Sequence, residues 1–312
     1  MCHTHIQVLA QIEIMKKIFI ILTLFSLGQI VFGQDNYQEK FAEYCGTKDT
    51  VAQRKLLEDW TKSNPNDPEL FTSYFNYYFL LSKQEMIGFD TKPGDEESLQ
   101  IMDSTNQVMG FFVDKTYFNS ELLAKAFESI NNGIKKYPAR LDMRFGKTYA
   151  LGQSENWEDF TSEIIKTIDY SKEINNKWTW TNSEPVEDPK NFFLGNIQGY
   201  QTQLYNTEDD SLLKNMREIS EQILKYHPNH VESLSNISIS YLLTGEYDKG
   251  LTPLLKAEKI DPKDPIVLSN IAQAYKLKGD KKNAIKYYNK TIEYGDDRSK
   301  QFAEQQIELL KK

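Results

Sequence analysis

The sequence predicts a mainly α fold: a solenoid of helix pairs interrupted by one small antiparallel β insertion. Three observations predict it. A pattern of residues recurs at a spacing of 34 within Val231–Asp297, pairing Gly245 with Gly279, Asn236 with Asn270, Ile237 with Ile271, Tyr241 with Tyr275 and Leu254 with Tyr288. Elsewhere, apolar residues at helical period alternate with breaks at proline, glycine or asparagine. Residues 84–118 lose that period and become β-prone.

Each repeat reads as helix–turn–helix. Leu234, Ile237 and Tyr241, then Leu268, Ile271 and Tyr275, form one face of the first helices. Small residues at Ser238/Ala272, Gly250/Ala284 and Ala257/Thr291 let two helices approach closely, and Leu254 and Tyr288 fill the space between them. Gly245 and Gly279 end the first helices, where a left-handed residue costs least. Pro262 closes the first repeat, and Asp296 stands at that place in the second. This pattern resembles the tetratricopeptide repeat (TPR), an array of stacked helix pairs. The resemblance implies a partner-binding scaffold whose first helices line a concave groove.

The chain begins differently. Met15-Lys16-Lys17 is a basic start, Ile18–Leu27 an apolar run, and Val31-Phe32-Gly33 precedes Gln34 as a cleavage site, so residues 1–33 read as a signal peptide with Met15 as the true start. A retained anchor is the weaker reading, because the run is short for a membrane span. No cysteine follows the cleavage site, and no span is expected in the rest of the chain. The reading therefore places the protein in the periplasm or outside the cell. Removal leaves Cys45 alone, without a disulfide partner, and its apolar neighbours Phe41 and Tyr44 favour a structural thiol. The chain has 312 residues, 39% of them hydrophobic, enough for a core, and a formal charge of −8. That acidic balance, without a basic stripe, argues against nucleic acid as the partner.

The remaining organisation follows in order. Residues 34–83 are N-terminal helices: 49–63, capped by Asp49 or Thr50, and 68–83, starting at Pro68 and dense in aromatics. Residues 84–118 form two or three strands, with a turn signal at Lys92-Pro93-Gly94-Asp95. The segment Gly110-Phe111-Phe112-Val113 is expected to cover a helix face, or else to form an edge strand that binds a partner. Residues 119–190 hold helices over 119–137, 139–152 and 156–173, followed by the Trp-containing loop 175–190. Residues 191–312 begin with helices over 192–205 and 211–227, continue through the repeats, and end in the helix 299–311, whose polar outer face suits a cap.

Nothing points to catalysis, a cofactor or a metal. His227 and His230 flank Pro228 in a loop without cysteine, too few ligands for zinc, and read as surface residues. No nucleophile elbow, phosphate loop or H-E-x-x-H occurs. The TPR resemblance instead implies a protein or peptide partner held by Glu232, Ser235, Asn236 and Ile239 on one first helix, and by Ile266, Ser269, Asn270 and Gln273 on the next. The two asparagines stand where many family members bond a ligand backbone. Ile239 and Ile266 occupy places where a chaperone-tail clamp would need polar or basic groups, which speaks against that activity. The alternative is glycan binding by Trp178 and Trp180, in an envelope uptake system. Against it stands the simpler reading that both rings anchor their loop.

Overall fold

The computed structural model describes residues 36–92 and 99–312. The signal segment and the Pro93-Gly94-Asp95 part of the turn lie outside the described residues. The chain divides into two compact units, one made of the described part of 29–156 together with Lys177–Val186, the other of Trp157–Asn176 and Glu187–Lys312.

The first unit opens with α1 (Tyr37–Gly46), α2 (Thr50–Ser63) and α3 (Pro68–Ser82), each started by an acid or amide cap: Asn36, Asp49 and Asp67. Phe41, Leu57, Trp60, Leu70 and Tyr77 form their common core. The Trp60 indole stacks on Tyr37 at 5.3 Å and donates to the Asp67 carboxylate at 3.1 Å, which ties α1, α2 and the cap of α3 together. α4 (Ser120–Lys136), capped by Asn119, pairs with α3. Phe75 and Phe79 of α3, Ala126 and Ile130 of α4, and Met143 and Ala150 of α5 (Leu141–Gln153) make a second core.

Between α3 and α4 lies a three-stranded antiparallel sheet in the order β1–β3–β2, with β1 at Lys83–Asp90, β2 at Leu99–Met102 and β3 at Val108–Phe118. Its β2–β3 turn is closed by Asp103, whose Oδ1 accepts from the amides of Thr105 and Gln107 at 2.7 and 2.9 Å. The expectation for 110–113 needs correction. β3 is the central strand, paired with β1 over Phe111–Phe118 and with β2 over Val108–Phe112, and Phe112 is exposed rather than laid over a helix. The sheet meets the helical core at its other end, where Phe118 stacks on Phe79 at 5.7 Å.

The second unit consists of α6 (Trp157–Glu173), α7 (Pro189–Asn206), α8 (Leu213–Tyr226), α9 (Val231–Leu243), α10 (Tyr247–Ile260), α11 (Pro265–Leu277), α12 (Lys281–Tyr294) and α13 (Asp297–Lys311). α7 starts at Pro189, three residues ahead of the predicted start, because proline at the first turn presets the helical φ. α13 likewise starts early, with Asp296 as its cap. α6 packs on α8, where the Asn215 amide donates to Thr161 Oγ1 at 2.8 Å and the Tyr226 hydroxyl to Asp169 at 2.6 Å.

In the repeats the predicted small positions are filled as expected. Leu254, Ala257, Ala272, Ala284, Tyr288 and Thr291 are fully buried. A Cβ on Gly250 would come within 2.8 Å of the Leu242 side chain, so the α9–α10 crossing depends on a missing methyl group. Gly245 and Gly279 end α9 and α11 with φ of +78° and +82°.

Candidate partner-binding face

The first helices α9 and α11 are neighbours, and so are α11 and α13. α7 joins this row through a reciprocal amide pair: Asn236 Nδ2 donates to Gln198 Oε1 at 2.7 Å, and Gln198 Nε2 donates back to Asn236 Oδ1 at 3.3 Å. The helical period therefore brings the predicted residues onto adjacent helices, but their availability differs. Glu232 and Ile266 are exposed, Ser269 and Gln273 half-buried, and Ser235, Asn236, Ile239 and Asn270 buried. Asn236 already has a partner in Gln198. Gln273 Oε1 accepts from the Tyr288 hydroxyl at 2.8 Å, so it is partly committed to holding α11 on α12. The Asn270 amide is not bonded to any described side chain.

At the α7–α9 end the face opens into a cavity of about 480 Å³. Its walls include Lys190, Asn191 and Gln198 of α7, the loop residues His227, Asn229 and His230, and Glu232 of α9. The histidines are not the free surface residues predicted from sequence. His230 caps α9: Nδ1 accepts from the Ser233 amide at 3.3 Å, so the ring proton sits on Nε2, 3.3 Å from the Glu232 carboxylate. Burial pushes the His230 pKa below its ordinary value despite Glu232. His227 is lowered as well, first by burial and then by the Lys190 ammonium and its neighbours. Lys190 is exposed and has no carboxylate within ion-pair distance among the described residues. The cavity thus combines one free cation, the Glu232 carboxylate, two half-buried imidazoles and several amides, a lining that can accept the carbonyl and amide groups of an extended segment. Sequence reasoning missed Lys190 and Gln198 because the α7–α8 pair follows the repeat only loosely.

The tryptophans belong to the other unit. Trp178 is 2% exposed, with the Arg144 guanidinium 5.9 Å from its ring centre. Trp180 is half-buried and meets Phe145 edge-on at 6.3 Å. Thr179 pairs with the chain at 139–141, donating to Ala139 O and accepting from the Leu141 amide, both at 2.9 Å. Sugar stacking needs an open ring face, and Trp178 offers none. Beneath this loop lies a feature that the sequence did not reveal. Arg140, 1% exposed, donates to Glu69 at 2.6 and 3.1 Å and to Asp142 at 2.8 and 2.6 Å, while the Asn182 amide donates to Glu69 at 2.8 Å. Burial works against the Arg140 charge, but the two carboxylates outweigh it and hold the guanidinium above its usual range.

Among the described residues, no group of three or more His, Cys, Asp or Glu side chains could hold a metal ion. Cys45 is half-buried, and burial raises its thiol pKa, the opposite of what a reactive cysteine needs.

Residues 267–294 match the family described as tetratricopeptide repeat. Among solved structures, the chain is similar to YrrB, described as a TPR protein with an unusual peptide-binding site, at 13% identity and a TM-score of 0.40, over 80% of this chain and 97% of that one. It is similar to the C-terminal part of a TPR repeat-containing protein from Cytophaga hutchinsonii at 14% identity and a TM-score of 0.40, over 82% and 78% of the two chains. PilW, described as a widely conserved type IV pilus biogenesis factor, matches at 13% identity and a TM-score of 0.34, over 81% and 89%. Comparison with curated proteins gives no match. The family match falls within α11 and α12, and α9 with α10 repeats that pattern 34 residues earlier.

Proposed function

We propose that this chain is an exported, non-enzymatic scaffold that holds a segment of a partner protein along α7, α9 and α11. The observation that carries the reading is the open cavity at the α7–α9 end, continuous in sequence register with the unengaged Asn270 amide and the exposed Ile266 on α11. Amides and a lone lysine suit the backbone of an extended segment, and Ile266 suits one apolar side chain. No helix among the described residues is long and apolar enough to cross a membrane.

A photo-cross-linking residue placed at Ser269 or Gln273, in cells that produce the protein, tests the face. The expected result is one discrete adduct at both positions, none at Glu304 on α13, and at least a several-fold loss on Asn270→Ala. Equal adducts at Glu304 would sink the assignment. Amino-terminal sequencing of the exported form should begin at Gln34; a product that retains the Ile18–Leu27 run would sink the export step.

A further inference from the structure

The sheet between α3 and α4 exposes more large apolar side chains than any other part of the described molecule. Strand register sorts them by face. Phe89 and Leu99 both stand opposite Phe112, and Ile87 stands opposite Asp114, so Ile87, Phe89, Leu99 and Phe112 share one side of the sheet. They are 75, 52, 73 and 46% exposed. The other side also exposes Met86 and Tyr117, but the Lys115–Asp90 ion pair crosses it at 2.9 Å. One face therefore carries an apolar row across all three strands, bordered by the exposed Asp114 carboxylate, with no described element covering it.

We propose that this row is a self-association surface, on which a second copy of this chain stacks face to face. Area supports that occupant. The four side chains expose about 450 Å² per copy, so complete stacking removes about 900 Å², close to the ~1,000 Å² of a specific interface. Geometry supports it too. The row Phe89–Phe112–Leu99 runs straight across the strands, so a two-fold axis along it lays the row on itself, as an isologous contact requires. That axis reverses the strands, which sends the helices joined at the Lys83 and Phe118 ends to opposite sides of the contact, where they cannot collide.

Sedimentation equilibrium of the whole chain, from about 1 to 100 μM, tests the proposal. The expected result is a reversible dimer that Phe112→Asp weakens by at least about 30-fold. Met86→Asp, on the ion-pair side, leaves it intact. Leu99→Asp, on the short edge strand, is the second variant should Phe112→Asp fail to fold, as judged by circular dichroism and the thermal midpoint. A wild-type chain that stays monomeric throughout, or a dimer indifferent to both face variants, overturns the proposal. So does a monomer that floats with phosphatidylglycerol vesicles, which would assign the row to lipid.

Discussion

Replacing Arg140 with alanine probes the least expected contact in the molecule. The guanidinium is buried and makes four hydrogen bonds to two carboxylates, at 2.6 to 3.1 Å. Its removal leaves Glu69, 7% exposed, beside Asp142 with no cation between them. Losing one partner of a buried pair costs about 3–5 kcal/mol, far more than the net worth of the intact pair, because the remaining charge stays desolvated. Glu69 also accepts from the Asn182 amide, so the loss should spread to the loop 177–186. Urea unfolding should give a destabilisation in that range, and hydrogen exchange should show faster exchange at Asn182 while α11 and α12 are unchanged. A double-mutant cycle with Glu69→Ala isolates the coupling, since removing both partners should cost clearly less than the sum of the single losses. A single-variant loss below about 1 kcal/mol, or strict additivity in the cycle, would refute the reasoning.

Three further outcomes follow from the second unit. Leu254→Ala removes a fully buried side chain between α9 and α10 and should cost about 2–5 kcal/mol by chemical denaturation. Gly245→Ala meets no atom within 4 Å but must hold φ near +78°, so a loss of about 1–2 kcal/mol should appear without any change in the α9–α10 contacts seen by NMR. The folded-state pKa values of His227 and His230 lie below the ordinary histidine value of 6.5. The unfolded chain therefore binds protons first as pH falls, and stability should be constant above that value and decline below it. His227→Gln should flatten part of the decline in a series of thermal midpoints between about pH 7 and 5; an unchanged slope would show that burial at His227 is not its source.

How far the sequence could be read depended on the range of the interactions involved. Helices such as α11 were legible because their signals are local: Asp264 and Pro265 start it, Ile271 and Tyr275 mark its face, and Gly279 stops it. The loop 175–190 was legible as irregular for a similar reason. Asn175, Asn176 and Asn182 take left-handed backbone, which asparagine tolerates better than most residues. The Arg140–Glu69 pair spans 71 positions, and no local pattern distinguishes a buried arginine from an exposed one. The sheet was misjudged for the same reason. β-prone residues and turn signals located its strands, but whether Phe112 meets a helix or solvent depends on where α3 and α4 end, not on the strand itself.

Asn236 and Asn270 show why a repeat motif does not by itself assign a binding residue. They occupy equivalent places 34 residues apart, and both are buried to the same degree. Gln198 reaches Asn236 from α7 and satisfies both ends of its amide, whereas the described structure sends no such side chain to Asn270. A ligand must therefore break two amide hydrogen bonds to use Asn236, at a net cost of about 1 kcal/mol each, but none to use Asn270. If the face binds an extended segment, its affinity should depend more on Asn270 than on Asn236, and Gln198→Ala should strengthen binding by releasing the first amide. The opposite ranking would mean that Gln198 and Asn236 act together as one donor–acceptor pair toward the partner, which places the contact in the cavity beside Lys190 instead of along α11.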